Sequence, residues 1–130
     1  MVIDTSAIVA ILQTEPERER FVEAIGSVAY KNMSTVSFAE ASQVLVSRYG
    51  ASALRELDVF IDKAEIRMRS VDYNQAVIAR RAFLEFGKGR HPAQLNFGDC
   101  FTYALARSLD QRLLFKGEDF SKTDIRVFVV

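Results

Sequence analysis

The sequence predicts an α/β protein with a mainly parallel sheet of about five strands and helices on both faces. Two observations predict this fold class: short apolar segments alternate along the chain with amphipathic helical ones, and glycine or a capping residue separates many of them. The chain has 130 residues, of which 49% are hydrophobic and 26% charged. These values are typical of one globular domain, so we expect a single domain over residues 1–130.

The predicted strands are short segments that are apolar throughout or alternate between apolar and polar side chains. Residues 66–71 show the alternation that is typical of a strand with one buried face. The opening segment, by contrast, is apolar up to Asp4 and predicts a buried strand. The five predicted strands are residues 1–4, 29–33, 66–71, 113–115 and 125–130.

The predicted helices carry apolar side chains at intervals of three and four residues and have recognisable ends. Thr5 or Ser6 is a candidate cap for the first helix, Pro16 lies in the first turn of the second, and Asp72 caps the fifth. Gly26 and Gly50 mark the ends of the second and third helices. The six predicted helices are residues 7–12, 15–26, a segment starting within 34–37 and ending near 49, 52–64, 73–86 and 98–109.

Composition excludes several classes of protein. Seventeen basic and seventeen acidic residues give no net charge, which excludes a protein that binds nucleic acid through bulk positive charge. A single cysteine, Cys100, and a single histidine, His91, exclude a disulfide framework, a cysteine-based zinc finger and a multi-histidine metal site. No apolar segment approaches the roughly 20 residues of a membrane helix, and no signal-peptide pattern is seen. We expect a cytoplasmic protein without membrane attachment.

Basic side chains are concentrated in residues 66–98, which hold six basic and two acidic residues and are called the basic block below. A solvated helix face and loop explain this distribution as well as RNA contacts do. The candidate RNA contacts at the mouth of a site are Arg80, Arg81, Lys88, Arg90 and His91. The aromatic residues mostly fit core spacing, so the sequence predicts no base-stacking surface.

Four acidic residues fall at predicted strand ends or helix starts, where ligand sites form in parallel α/β sheets: Asp4, Glu40, Asp99 and Asp119. Each also has a purely structural interpretation. An aspartate at position 4 can cap a helix, although the sequence places Thr5 and Ser6 better for that role. Ser37-x-x-Glu40 matches a capping box, Asn96-x-x-Asp99 repeats that arrangement, and Asp119 suits a turn.

If these four acids converge, their charges repel one another, and a divalent cation removes the conflict. Ligation by carboxylate oxygens suits Mg²⁺ or Mn²⁺. Such an ion can activate a water molecule and stabilise charge on a phosphoryl oxygen, which favours hydrolysis of a phosphodiester. Spacing does not distinguish Asp119 from its neighbour Glu118 as the fourth acid.

Four motifs in register connect these residues to a known family, and the chain resembles the PIN-domain ribonucleases of the VapC toxin type over its full length. The opening motif is weakly specific by itself, whereas the last two together are quite specific. The matching segments are residues 1–7, 34–40, 95–100 and 113–125.

The resemblance implies a PIN-like fold and Mg²⁺- or Mn²⁺-dependent endonucleolytic cleavage of RNA. It also implies a VapB-type antitoxin as partner and a homodimer. Carried over by position, Asp4 and Asp99 are the main metal ligands, Glu40 binds the metal directly or through water, and Asp119 is the fourth acid. Ser6 then orients Asp4 or contacts a metal-bound water.

The same four acids allow two other classes of function, an inactive binding scaffold and an aspartyl-phosphate phosphatase. A PIN-like scaffold without catalytic activity would bind a protein or RNA partner, and loss of one or more acids would favour it, but none is missing. An aspartyl-phosphate phosphatase typically needs a second aspartate two residues after the first. Position 6 is serine, which argues against that chemistry.

Overall fold

The structure, a computed structural model, describes all 130 residues and is built around a four-stranded sheet. Its strands are β1 (Val2–Ile3), β2 (Lys31–Ser34), β3 (Ile66–Arg69) and β4 (Leu113–Leu114). All neighbouring strands are parallel, in the order β3-β2-β1-β4. The α/β class and the parallel sheet are therefore confirmed.

The predicted fifth strand, residues 125–130, is wrong as a strand. This segment lies beside β4 but pairs with it only between Val127 and Leu113. The apolar pattern of these residues has a different cause, which is packing against both faces of the sheet. Val127 packs on one apolar cluster and Phe128 on the other, while Val129 is exposed.

All six predicted helices are present, with small shifts at their ends. They are α1 (Thr5–Leu12), α2 (Arg18–Gly26), α3 (Thr35–Tyr49), α4 (Ala53–Lys63), α5 (Tyr73–Phe86) and α6 (Phe97–Leu109). Asp72 caps α5 as predicted, because its carboxylate accepts a hydrogen bond from the Gln75 backbone N–H at 2.8 Å. Not one of these helices combines the length and the apolar character that crossing a membrane would require.

The sheet separates two apolar clusters, as alternate side chains of a strand point to opposite faces. Ile3 of β1 belongs to the cluster formed with α1 to α4, whereas the adjacent Val2 belongs to the cluster formed with α5 and α6. Helices thus cover both faces, as predicted.

The strand order places the candidate site. From β1 the chain proceeds outward to β2 and β3, and it then crosses back to form β4 on the other side of β1. The connections that follow two adjacent strands, here β1 and β4, lead away from each other. In parallel α/β sheets this leaves a crevice at the carboxyl ends of those strands. Asp4 follows β1 directly, and the segment after β4 contains Lys116 to Asp119.

Candidate active site

Asp4 is the most enclosed of the four predicted acids, with 3% of its surface exposed. Its Oδ2 accepts hydrogen bonds from the Ser6 backbone N–H at 3.0 Å and from Ser6 Oγ at 2.7 Å. Asp4 is therefore the N-cap of α1, and the prediction that Thr5 or Ser6 caps this helix is wrong. The extended backbone at Asp4 places its carboxylate over the N–H of Ser6, whereas Thr5 is already helical.

A buried hydroxyl holds the other oxygen of Asp4. Thr102 of α6 is fully buried, and its Oγ1 donates to Asp4 Oδ1 at 2.6 Å. The same Oγ1 lies 3.0 Å from Ser37 Oγ on α3, and Thr5 Oγ1 donates to the Ser37 backbone carbonyl at 3.1 Å. The Asp4 carboxylate is thus oriented by hydrogen bonds that link α1, α3 and α6.

Ser6 connects Asp4 to the far side of the crevice. Its Oγ donates to Asp4 and accepts a hydrogen bond from the Lys116 backbone N–H at 2.9 Å. The Lys116 ammonium also pairs with Glu15 and with Glu17, which lie between α1 and α2. Ser6 therefore lies next to Asp4, where the sequence placed it, and ties the segment after β4 to α1.

Glu40 does not form the predicted capping box. Ser34 is the N-cap of α3, with its Oγ accepting from the Val36 backbone N–H at 3.2 Å, so Glu40 falls in the second turn. The Glu40 carboxylate instead lies against Gly98 of α6, where a Cβ would come within 2.4 Å of Glu40 Oε2. The absence of a side chain at Gly98 lets this carboxylate approach the residue next to Asp99.

Asp99 forms the predicted capping box and also faces the other acids. Its backbone N–H donates to Asn96 Oδ1, and its Oδ2 accepts from the Asn96 backbone N–H, both at 3.0 Å. The pKa of the Asp99 carboxyl is raised to about 7, first by burial and next by the charge on Asp4. Glu40 and Asp119 raise this pKa further, while the Asn96 backbone N–H opposes the shift.

Asp119 begins a 3-10 turn, Asp119–Lys122, which is anchored by the buried Phe120 stacking edge-on against Phe115 at 5.1 Å. Both Asp119 and the preceding Glu118 are exposed. Of the two, it is the Asp119 charge that raises the pKa of Asp99. This electrostatic contact favours Asp119 over Glu118 as the fourth acid, a choice that spacing left open.

Three of the carboxylates act on the fourth, Asp99, without forming a ready-made ligand shell. No group of three or more His, Cys, Asp or Glu side chains is arranged closely enough to hold a metal ion as it stands. Mutual repulsion keeps like charges apart, and an ion with several carboxylate ligands would have to draw them together. The donor set still suits a divalent cation such as Mg²⁺ or Mn²⁺, since it consists of carboxylates and the pKa of one of them, Asp99, is raised in part by the charges of the others.

The structure does not gather the five candidate RNA contacts of the basic block around one point. Arg80 lines a groove between α5 and α6, whereas Arg81 lines a separate depression with Glu85 and Asp124. Lys88 is exposed on the loop that follows α5. Arg90, on the same loop, lies over the Phe83 ring with its guanidinium carbon 5.9 Å from the ring centroid.

His91 has a structural role in that loop. Its Nδ1 accepts a hydrogen bond from the Ala93 backbone N–H at 3.0 Å, and its ring packs edge-on against Phe86 at 5.1 Å. Both contacts favour the interpretation of His91 as a loop residue over that of an RNA contact.

Three residues near the acids were missed by sequence reasoning. The sequence predicts only a capping role for Ser37, and Thr102 lies in the interior of a predicted helix, where a hydroxyl has no distinctive pattern. The spacing of the aromatic residues predicts a core position for Phe97, yet 74% of its surface is exposed. The only sequence feature that indicates exposure of Phe97 is its position directly after the capping residue Asn96. The first residue of a helix has no preceding turn to cover its side chain.

Comparison with known proteins finds relatives that match nearly the whole chain. A model of the PIN domain family matches residues 1–126. The ribonuclease VapC30 of Mycobacterium tuberculosis is 50% identical over 125 residues, which make up 96% of this chain and 95% of that protein. The crystal structure of VapC20 of M. tuberculosis, described as a sarcin-ricin loop cleaving toxin, aligns with a TM-score of 0.79 at 16% identity and covers 95% of each chain. VapBC2 of Rickettsia felis, crystallised with a DNA fragment from its promoter, aligns with a TM-score of 0.73 at 15% identity, over 97% of this chain and 94% of that chain.

Proposed function

Because this chain belongs to the PIN domain family, among the VapC ribonucleases, we propose that it is a metal-dependent endoribonuclease and the toxin of a toxin–antitoxin pair. The observation that supports this most directly is the placement of the acids: the Glu40 carboxylate lies against Gly98, the neighbour of Asp99, and the charges on Asp4, Glu40 and Asp119 all raise the pKa of Asp99. Three acids from separate parts of the chain therefore act on the carboxyl of a fourth, Asp99, at the crevice where the strand order changes direction.

In this proposal Asp4 and Asp99 are the main ligands of Mg²⁺ or Mn²⁺, with Glu40 and Asp119 completing the acidic pocket. When bound, the ion supplies a water of lowered pKa and stabilises negative charge on a phosphoryl oxygen.

The chain's own residues prepare this pocket. Ser6 and Thr102 hold the two oxygens of Asp4 at 2.7 Å and 2.6 Å, so its carboxylate is oriented before any ligand arrives. Three of the roughly four acceptor sites of this carboxylate are used, two of them on Oδ2, and the remaining site on Oδ1 is open to a ligand. Gly98 leaves room for Glu40 beside Asp99. Asp99 holds a proton at pH values below about 7, and a neighbouring positive charge would favour its ionised form.

The first experiment is incubation of total cellular RNA with purified, partner-free protein in the presence of Mg²⁺ or Mn²⁺. We expect discrete fragments, lost on addition of EDTA and lost in Asp99→Asn. The matched control is Asp110→Asn, which makes the same chemical change at an exposed residue in the left-handed backbone region that asparagine tolerates. Cleavage that survives in a folded Asp99→Asn variant would contradict the assignment of the pocket.

We extend the proposal to the partner and the assembly. VapBC2 of R. felis was crystallised with DNA from the promoter of its components, and the matching chain of that structure aligns with 97% of this chain. We propose a VapB-type antitoxin that covers the acidic pocket, a homodimer, and action in the cytoplasm. Co-purification with the product of the neighbouring gene in the native operon would test the first point; the absence of any tightly bound partner would count against it.

A catalytically inactive scaffold is the alternative. It predicts a folded protein that binds metal without cleaving RNA. The presence of all four acids, each accounted for in or beside the crevice, supports the enzyme over the scaffold.

A further inference from the structure

A groove of about 330 Å³ lies between α5 and α6, beside the acidic pocket but outside it. Its walls are aromatic and small apolar side chains, among them Phe83, Phe97 and Phe101, and its one charged lining residue is Arg80. Neither the capping of α6 nor the acidic pocket uses this groove.

Phe97 is the most exposed aromatic side chain beside the candidate site, at 74% exposure. Its ring meets Phe101, one helical turn later, in an edge-on contact with centroids 4.9 Å apart. Phe101 is in turn packed against the apolar cluster under α6. The ring of Phe97 is thus held in place while much of it faces solvent, which reduces the entropy lost when a ligand stacks on it.

The charges at the groove are those that a nucleotide requires. The Arg80 side chain lines the groove, and the guanidinium of Arg90 lies over the Phe83 ring. No acidic side chain lines it. An aromatic surface flanked by guanidinium groups complements a base together with its phosphate.

The groove adjoins the acidic pocket at the first turn of α6, because two of its lining residues, Phe97 and Cys100, lie in that turn together with Asp99. Phe97 and Asp99 are two residues apart, on different sides of that turn, and Gly98 between them touches Glu40. A helix is about 10 Å across, so a strand that crosses this turn has one phosphate at the acids and a nearby base at Phe97.

We infer that this groove binds an unpaired nucleobase of the RNA substrate, stacked on Phe97, with Arg80 contacting a phosphate of the same strand. The inference rests on the proposed function and adds to it a subsite for one base, which must be unpaired because a paired base is already stacked within its helix. A second copy of the chain fits less well, since a twofold contact centred on the groove would bring two Arg80 side chains together.

The test uses an RNA oligonucleotide that the purified protein cleaves, prepared as a series with one abasic site at each position flanking the cleaved bond. Phe97→Ala should lower kcat/KM on the intact oligonucleotide roughly 5- to 100-fold, the loss of one stacked base. Phe97→Trp should retain activity. Tyr30→Ala is the matched control, because Tyr30 is an exposed aromatic residue at the amino-terminal edge of the sheet, opposite the acids.

At one position, removal of the base should lower kcat/KM of the unaltered protein as much as Phe97→Ala does on the intact oligonucleotide. Removal of the same base should not lower kcat/KM of Phe97→Ala any further. This non-additivity identifies the base that stacks on Phe97. Losses that add at every position would overturn the inference, as would unchanged kcat/KM in Phe97→Ala. Conversion of a dimer to a monomer by Phe97→Ala, measured by light scattering, with equal losses on all substrates would assign the face to a contact between copies instead. If the unaltered protein cleaves no RNA, the proposed function fails, and this inference fails with it.

Discussion

Asp99 both caps α6 and lies among other carboxylates, and these two roles favour different protonation states. The helix N-terminus favours an ionised side chain, whereas burial and the charges on Asp4, Glu40 and Asp119 favour a protonated one. A pKa of about 7 shows that the second influence dominates without metal.

A pH-dependent stability follows for the metal-free protein. The folded-state pKa of about 7 lies above the ordinary value of 3.8, so the folded state binds this proton more tightly than the unfolded state. The contribution of Asp99 to stability therefore falls as pH rises from about 4 to about 7. Asp99→Asn should raise the Tm in EDTA at pH 8, with a smaller gain at pH 5. A gain of the same size at both pH values, measured by circular dichroism, would contradict the shifted pKa.

Thr102 is the residue whose hydroxyl has the most specific task, because it donates to Asp4 from a fully buried position. Thr102→Val should lower the free energy of unfolding by about 1.5–3 kcal/mol, the range for a hydrogen bond to a charged group. Thr102→Ser keeps the hydroxyl and is the control. Urea denaturation compares the two variants. Equal stability of the valine and serine variants would show that the hydrogen bond contributes nothing.

At the scale of elements, the contact between α3 and α6 depends on the absence of a side chain at Gly98. Alanine there has the higher helix propensity, so local preference predicts a more stable α6. Its Cβ would nevertheless lie 2.4 Å from Glu40 Oε2 and would displace that carboxylate.

Gly98→Ala should therefore reduce RNA cleavage, on the order of 10²-fold for a displacement of about 1 Å, while leaving the protein folded. The control is Gly26→Ala at the end of α2, where an added Cβ meets nothing within 4 Å. Rates of RNA cleavage are measured side by side for Gly98→Ala, Gly26→Ala and the unaltered protein. Full activity in Gly98→Ala would show that Glu40 is not needed at its observed position.

The sequence predicts helices and strands correctly where local patterns and tertiary packing favour the same structure. The bounds of α5 agree with its capping residue Asp72 and its periodicity. The prediction of a strand over residues 125–130 is wrong because apolar residues indicate that a segment is buried, not that its backbone pairs with a strand. Here the side chains are buried by contacts with both apolar clusters. The cap of α1 was misassigned because Asp4, Thr5 and Ser6 are all good caps, and only the backbone conformation distinguishes them.

At the scale of the whole molecule, the ends of the chain meet at the sheet. The Met1 amine donates to Gln111 Oε1 at 3.0 Å, and Leu113 pairs with Val127. We propose that residues 1–130 form one domain that unfolds in a single transition.

Mg²⁺ or Mn²⁺ should raise the temperature of that transition, because an ion that binds only the folded state stabilises it by about 2.7 kcal/mol at a hundredfold excess over Kd. NaCl at equal ionic strength is the control for general screening, and Asp99→Asn should lose most of the effect. Equal shifts with NaCl and with the divalent ion would argue against a specific site.

The sequence by itself determined the α/β class, the six helices and the acids that follow strands, because periodicity, capping residues and strand ends are local properties of the chain. Tertiary structure alone decided what surrounds each acid. Thr102 reaches Asp4 across 98 positions of the chain. Gly98 admits Glu40, and the charge of Asp119, not that of Glu118, acts on Asp99. Phe97 is exposed beside them although its residue type predicts burial. These features arise from contacts between distant segments, and no local pattern encodes the distance between two side chains that meet only when the sheet and its helices assemble.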